Sequence, residues 1–143
     1  MPTTETINRF DLNKDRALGI DLPLFDEYGS RFKQNYTTID QASANARNLL
    51  LTNKGERVML PTFGCDLYRL LFEPITDNLI DKAKSTIKDQ FDIWLPYIFI
   101  NDLTLNADNI DTKNTLYLQM VISLRNNTYE TKPFYLEISR NII

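Results

Sequence analysis

The segment from Thr115 to Arg125, TLYLQMVISLR, alternates between apolar and other side chains more regularly than any other part of the chain. Its apolar positions are Leu116, Leu118, Met120, Ile122 and Leu124, and between them lie Tyr117, Gln119, Val121, Ser123 and Arg125. Because successive side chains of a β-strand point to opposite faces, this period of two predicts a strand with one apolar face. The same alternation predicts strands before and after it, at Leu103 and Leu105 and at Phe134, Leu136 and Ile138. Asn- and Asp-rich connections at 108–114 and 126–127 favour antiparallel turns.

Before residue 101 the apolar residues recur instead with the period of an α-helix. A first helix is predicted from Thr38, capped by Thr37 or Thr38 and stopped by Asn53 to Gly55, with the apolar face Ile39, Ala42, Ala46, Leu49 and Leu50. A short second helix is predicted after Asp66, ending before Pro74. A third is predicted from Thr76 or Asp77 to about Phe91, with the stripe Leu79, Ile80, Ala83, Ile87 and Phe91. Helices followed by strands predict an α+β fold, about three helices on a C-terminal antiparallel sheet of three or so strands.

Residues 1–36 show no sustained periodicity and are predicted to form an extended N-terminal arm that drapes over its own domain or over a neighbour. The length of 143 residues suits one domain with a core, which is expected to span 37–143. The net charge of −3 gives no reason to expect a nucleic-acid partner. Neither a signal peptide nor an apolar run of about 20 residues is present, so no membrane partner is expected. The single cysteine fits folding in a reducing cytoplasm.

The segment Lys54 to Pro74, KGERVMLPTFGCDLYRLLFEP, concentrates the residues that invite a catalytic interpretation. Two of Glu56, Asp66 and Glu73 are candidates for the acid and base of a glycoside hydrolase. The simpler expectation is an ion pair between Glu56 and Arg57, and a helix cap at Asp66. With no histidine in the chain, Cys65 has no Cys–His partner and is expected to be a small buried packing residue. No phosphate-binding or calcium-binding loop is complete, so neither cofactor nor metal is expected.

A sheet of so few strands is expected to have at least one unpaired edge. Such an edge accepts a strand from another chain, or helix and arm residues cover it, and the sequence leaves both alternatives open. Tyr117, Val121 and Tyr135 are expected on the face opposite the main apolar stripe. Trp94, Tyr97 and Phe99 are aromatic residues close to Pro96.

The segment from Asn48 to Ile80, NLLLTNKGERVMLPTFGCDLYRLLFEPITDNLI, closely resembles the signature of the baseplate wedge family of contractile phage tails. This family was once labelled "lysozyme-like" and has relatives in type VI secretion baseplates and extracellular contractile injection systems. The shared elements are a helix ending in LLLT, KGER, a proline before FG-C-D-L, and LLFEPI. GIDLPLF followed by NYTT in the arm is also similar to members from T4-type and cyanobacterial phages. The resemblance covers about Tyr36 to Ile138.

The resemblance implies a small α+β domain whose C-terminal region is similar to the handshake part of the tail sheath protein. It implies a non-enzymatic structural role in the virion tail baseplate, with several copies, expected to be six, around the hub or central tube. Partners implied are the helical core bundle of the wedge, the sheath protein and hub or tube proteins. Strand exchange with the sheath is expected at Leu116, Leu118, Met120, Phe134, Leu136 and Ile138.

Most family members carry a Glu-Pro-Arg motif after the third helix, and it docks on the wedge core bundle. The matching residues here are Leu95, Pro96 and Tyr97, after Trp94, so the proline and an aromatic remain and both charges are absent. Docking is therefore expected to use apolar and aromatic contacts of Trp94 to Tyr97 in place of an arginine ion pair.

The other signature residues are expected to build a rigid structural corner. Gly55 and Gly64 suit turns that other residues resist, and Pro61 and Pro74 limit the neighbouring helices. The apolar residues expected to anchor the corner to the core are Phe63, Leu67, Leu70, Leu71 and Phe72. The charged residues expected to form ion pairs, within the domain or to a partner, are Glu56, Arg57, Asp66, Arg69 and Glu73.

Overall fold

The computed structural model describes residues 9–22, 33–74, 76–108 and 115–139. In chain order these residues form a 3₁₀ turn (Arg9–Leu12), β1 (Gly19–Ile20), β2 (Gln34–Asn35), α1 (Thr38–Leu51), α2 (Leu67–Leu70), α3 (Asp77–Trp94), β3 (Ile98–Asp108), β4 (Thr115–Leu124) and β5 (Asn127–Ser139). The predicted α+β fold, with helices preceding a C-terminal antiparallel sheet, is confirmed.

Helix α1 begins where the sequence predicts. The Thr37 hydroxyl oxygen accepts a hydrogen bond from the Asp40 amide and so satisfies one of the amides that the first turn leaves unpaired. Every residue of the predicted apolar face is buried: Ile39, Ala42, Ala46, Leu49 and Leu50. The helix ends at Leu51, two residues before the predicted stop at Asn53, with Thr52 in an extended conformation.

Helix α3 has its predicted cap, because the Thr76 hydroxyl accepts from the Leu79 amide. It continues to Trp94, three residues beyond the predicted end at Phe91. The following Pro96 explains where it stops, since its ring disfavours helical angles at Leu95, which has φ −129° and ψ 54°. The stripe is buried at Leu79, Ala83, Ile87 and Phe91 and partly buried at Ile80.

The three long strands form an antiparallel sheet in the order β3-β4-β5, so β4 lies in the centre. Leu118 on β4 lies opposite Leu105 on β3 and Leu136 on β5. All five apolar β4 positions, Leu116, Leu118, Met120, Ile122 and Leu124, are buried, which confirms the predicted apolar face.

Strand β3 differs from its prediction because it begins at Ile98, well before Leu103. Its register with β4 shifts between Ile100 and Asp102, so Asn101 forms a β-bulge. Ser123 lies on the predicted outer face yet is fully buried, and its hydroxyl donates to the Asn101 Oδ1 atom at 2.7 Å.

The helices cover the apolar face of the sheet, with α1 against β4 and β5 and α3 against β3. The described part of the arm also lies against this domain, because β1 and β2 pair with each other and contact α1. The Asp11 carboxylate accepts hydrogen bonds from the Thr38 amide and hydroxyl, both at 2.7 Å. The rest of the predicted arm, 1–8 and 23–32, lies outside the described residues, and a domain boundary at 36/37 stays a prediction.

Candidate functional site

Residues 53–66, here called the corner, form a compact loop between α1 and α2 that is closed by backbone hydrogen bonds. The Gly55 amide donates to the Pro61 carbonyl at 2.8 Å, and the Cys65 amide donates to the Thr52 carbonyl at 3.1 Å. The Phe63 amide donates to the Leu60 carbonyl at 3.1 Å within the same loop. These bonds connect the two ends of the corner, so the loop has a defined shape.

Two of the three candidate catalytic carboxylates are engaged in holding this shape. Glu56 accepts from the Asn53 amide at 3.0 Å and from its side-chain nitrogen at 2.7 Å. Asp66 Oδ1 accepts from the Lys54 amide at 2.7 Å. Glu73 lies beyond the corner and is exposed. Both bonded carboxylates therefore satisfy backbone donors of the loop itself.

Two sequence predictions for these charged residues are wrong. Asp66 does not cap α2 with its side chain, because its backbone is left-handed at φ 52° and its carboxylate faces Lys54. Glu56 does not pair with Arg57, whose guanidinium lies over the Phe63 ring at 4.1 Å from the centroid. In the part of the chain that the structure describes, no ion pair joins Glu56, Arg57, Asp66, Arg69 and Glu73 to any other residue.

Both glycines of the corner have the positive φ that the sequence analysis expects. Gly55 has φ +89° with open space around its Cα, whereas Gly64 has φ +125° and lies against Thr52. A Cβ at position 64 would approach the Thr52 carbonyl oxygen to 2.3 Å. Gly64 is therefore required for both its angle and its contact.

Of the five apolar residues predicted to anchor the corner to the core, four do so. Phe63, Leu67 and Leu71 are buried in the core and Leu70 packs against it. Phe72 is the exception, with 56% of its surface exposed and its ring edge-on to Tyr68 at 5.8 Å. Cys65 is buried, and this burial raises the pKa of its thiol to about 12, as expected of a packing residue.

The corner also presents an apolar tip that the sequence analysis missed. Val58 is 91% exposed and Met59 is 89% exposed. The available signal is a run of three apolar residues, Val58 to Leu60, between Arg57 and Pro61 in a segment with no period. Pro61 and Pro74 are exposed as well.

The four residues that match the docking motif have different surroundings. The Trp94 ring contacts Phe63 edge to face at 5.3 Å, and Leu95 is buried in the core. Pro96 and Tyr97 are exposed, and the Tyr97 hydroxyl accepts from the Asn45 side chain at 2.8 Å. A predominantly apolar cavity of about 280 Å³ adjoins Tyr97 and is also lined by Leu18, Thr38, Gln41 and Ala42. The surface available to a partner is therefore mainly Pro96 and Tyr97, with part of Trp94.

The six residues predicted for strand exchange all direct their side chains into the core. Leu116, Leu118 and Met120 lie on β4, which is paired along both sides, so these three positions cannot receive a further strand. Phe134, Leu136 and Ile138 lie on β5, an outer strand. Among the described residues no strand pairs with the outer edges of β3 and β5, and helices cover one face of this sheet.

The described residues bring no catalytic or metal-binding cluster together at the corner. Neither the cavity beside Tyr97 nor a second one beside β3 is lined by Glu56, Asp66 or Glu73. Nowhere in the ranges given above do three or more His, Cys, Asp or Glu side chains form a group that could hold a metal ion. None of the helices described is long and apolar enough to cross a bilayer.

Solved structures contain the same fold. A Geobacter sulfurreducens protein, described provisionally as a tail lysozyme, superimposes with a TM-score of 0.57 at 22% identity, covering 71% of this chain and 90% of that one. A chain of the anti-feeding prophage baseplate, solved with six-fold symmetry, gives a TM-score of 0.60 at 21% identity, covering 78% and 86%. At such identities the likeness shows the fold alone. No curated protein matches the chain.

The chain also matches a protein family by its sequence. Residues 40–129 match the model of the family described as baseplate wedge protein gp25. The match runs from α1 through the corner and α3 into the sheet, and so includes the signature segment and most of the domain. The chain belongs to the gp25 baseplate wedge family and is a structural component of a tail baseplate.

Proposed function

We propose that this chain links the core bundle of a baseplate wedge to the first ring of the tail sheath and does so without enzymatic activity. The observation that carries the proposal is the three-stranded sheet, whose outer edges pair with no other described strand while the helices cover one face. An unpaired edge is a site where an extended segment of another chain adds by backbone hydrogen bonds. The family's likeness to the handshake region of the sheath supports the choice of the sheath as partner.

The contact with the wedge core bundle is proposed for the surface around Pro96. Pro96, Tyr97 and the exposed part of Trp94 offer apolar and aromatic area in place of a charged pair, and Leu95 supports them from the core. The Asn45 side chain orients the Tyr97 hydroxyl. Aromatic residues held in this way lose little freedom on binding, which favours them as interface anchors.

The location is tested by tagging the chain at its native locus and purifying intact contractile particles. Mass spectrometry and labelled electron microscopy are expected to find it at the sheath-proximal end of the baseplate, in a small fixed number of copies, proposed to be six. A chain found free in the lysate and missing from the particles would contradict the proposal.

The docking surface is tested with Tyr97→Ala, measured as binding to the purified wedge core bundle. Loss of a central aromatic anchor is expected to weaken binding by about 2 kcal/mol. Tyr97→Phe is the matched control, since it keeps the ring and removes only the hydroxyl that Asn45 contacts. Binding of Tyr97→Ala at full affinity would remove Tyr97 from the proposed surface.

The alternative function, a tail-associated muramidase that uses two of Glu56, Asp66 and Glu73, predicts a different result. The variants Glu56→Gln, Asp66→Asn and Glu73→Gln would then abolish the clearing of peptidoglycan and leave assembly intact. We expect no clearing by the unmodified chain at equal protein concentration, with hen lysozyme as the positive control. Clearing by the chain that disappears in a carboxylate variant would establish the enzyme and refute the non-enzymatic proposal.

A further inference from the structure

Four polar side chains connect the described part of the arm to Tyr97 by consecutive hydrogen bonds. Asn35 of β2 donates through Nδ2 to Gln41 Oε1 at 3.2 Å. Gln41 donates through Nε2 to Asn45 Oδ1 at 2.9 Å, and Asn45 donates through Nδ2 to the Tyr97 hydroxyl oxygen at 2.8 Å. Gln41 and Asn45 can bond to each other because side chains four residues apart are neighbours on one face of a helix. These four residues are here called the amide relay.

The arm end of the amide relay is held by the pairing of β1 with β2. Asn35 is buried, and its carbonyl accepts from the Leu18 amide at 2.7 Å. Gly19 lies opposite Asn35 in this pair. A Cβ at position 19 would approach Gln41 Oε1 to 2.0 Å and Gln41 Nε2 to 2.8 Å. The Gln41 amide therefore occupies the space beside β1 that only a glycine leaves open.

At the other end of the amide relay, the backbone of Tyr97 is fixed independently of its ring. The Tyr97 carbonyl accepts from the amide of Arg125, the residue that follows β4, at 2.9 Å. The side chain is 39% exposed and keeps its own torsional freedom. The hydrogen bond from Asn45 restricts this freedom, so it sets the orientation in which the ring meets a partner.

The arm and Tyr97 also border one cavity. Leu18 of the arm and Tyr97 line the same predominantly apolar space of about 280 Å³, to which α1 contributes Thr38, Gln41 and Ala42. Gln41 thus lies between the two segments both in the amide relay and in the cavity wall. A shift of the arm would change both the bonds and the apolar surroundings of the ring.

We propose that the amide relay couples the pairing of β1 with β2 to the orientation of the Tyr97 ring, with Gln41 and Asn45 as positioning residues. Because coupling between two sites is reciprocal, a partner that fixes Tyr97 also stabilises the β1-β2 pair. The coupling itself is a property of the chain alone. Its effect on docking rests on the proposed contact with the wedge core bundle.

The coupling is tested first without a partner, by hydrogen exchange of the Leu18 and Asp21 amides, here called the reporter amides. Both bond across the β1-β2 pair and so report its opening. Tyr97→Phe removes the last bond of the amide relay and is expected to raise both exchange rates about threefold. Tyr117→Phe is the matched control, because this exposed tyrosine of β4 makes no hydroxyl bond among the described residues. It is expected to leave both rates unchanged.

A double-variant cycle separates transmission through Gln41 from a general loss of stability. Gln41→Met removes the amide in the middle of the relay, and buried Asn35 loses its acceptor, so the reporter amides are expected to exchange about tenfold faster. In the Gln41→Met background, Tyr97→Phe is expected to have no further effect. A threefold effect that persists in this background overturns the coupling. So does an absence of any effect of Tyr97→Phe in the otherwise unmodified chain.

Docking is tested with a variant on β1, whose position does not line the cavity beside Tyr97. Gly19→Ala places a methyl group where the Gln41 amide lies and displaces that amide. It is expected to weaken binding to the purified wedge core bundle about threefold. Ile20→Ala, on the opposite face of the same strand, is the matched control and is expected to leave binding unchanged. The bundle is also expected to slow exchange of the reporter amides, and less so in Gly19→Ala.

The coupling and the docking contact fail separately. Equal binding by Gly19→Ala and Ile20→Ala overturns the role of the amide relay in docking and leaves the proposed contact intact. Absence of binding by the unmodified chain refutes the contact with the bundle, while the exchange cycle still decides on the coupling. Urea unfolding checks that each variant folds, and Gly19→Ala replaces Gln41→Met in the cycle if the latter does not.

Discussion

At Gly64 a left-handed turn and a close backbone contact coincide at one residue, whereas at Gly55 the turn occurs without the contact. The two glycines of the corner therefore separate the cost of backbone angle from the cost of a steric clash. The angle alone costs a residue with a Cβ about 1–2 kcal/mol. The clash at position 64 is with backbone, which cannot move aside as a flexible side chain can.

Gly64→Ala is therefore expected to lower the free energy of unfolding by about 2–4 kcal/mol, and Gly55→Ala by about 1–2 kcal/mol. Urea unfolding followed by circular dichroism measures both. Equal losses in the two variants would show that the Thr52 contact contributes nothing.

Cys65 links the stability of the chain to high pH. Burial raises the pKa of its thiol from 9.0 to about 12, so between these values the unfolded chain has lost a proton that the folded chain retains. Stability supplied by the neutral thiol is complete below pH 9.0 and falls as the pH rises towards 12. When the pH is raised from 8 to 10, the free energy of unfolding is expected to fall less for Cys65→Ala than for the unmodified chain. Parallel curves for the two proteins would contradict the shifted pKa.

Among the elements, α1 is contacted at its first turn by both the N-terminal arm and the C-terminal strand β5. Asp11 in the arm binds the Thr38 amide and hydroxyl at the start of the helix, and Lys132 on β5 pairs with Asp40 two residues later, in the same turn. Partial burial raises the pKa of Asp40, but the hydrogen bonds from Lys132 and Thr37 and the nearby positive charges outweigh it and lower that pKa overall. The first turn thus joins the arm to the sheet.

Asp11→Ala is expected to lower the unfolding free energy by about 1–2 kcal/mol, because a carboxylate at a helix N-terminus satisfies otherwise unpaired donors. The matched control is Asp15→Ala, a nearby exposed carboxylate with no bond to α1 among the described contacts. Thermal unfolding of the two variants decides the question, and similar midpoints would mean that the arm does not support the helix.

At the scale of the whole molecule, the part of the arm that the structure describes contributes no residue to the core cluster. The described members of the core cluster all lie between Ile39 and Ile138, and the arm adds polar contacts at the start of α1. A chain lacking residues 1–36 is expected to keep the circular dichroism of the folded domain and to unfold cooperatively at a lower urea concentration. A fragment without cooperative unfolding would place the arm inside the folding unit and refute the boundary at 36/37.

Local periodicity was sufficient to predict the elements whose side chains face one core. The alternation of β4 and the stripes of α1 and α3 are confirmed because the direction of a side chain depends on its position within its own helix or strand. The signature around Gly55 and Gly64 was equally readable, since positive φ depends on residue type. The family membership also follows from this ordered segment.

Contacts between distant residues were decided by tertiary structure alone. Asp66 binds Lys54 instead of capping α2, and Phe72 is exposed instead of buried. The central place of β4, which excludes Leu116, Leu118 and Met120 from receiving a strand, depends on which strands meet across the sheet. The sequence by itself determined the helices, the central strand and the family, because these are encoded in neighbouring residues. The tertiary structure decided the partners of charges and the edges of the sheet, because these depend on segments that only folding brings together.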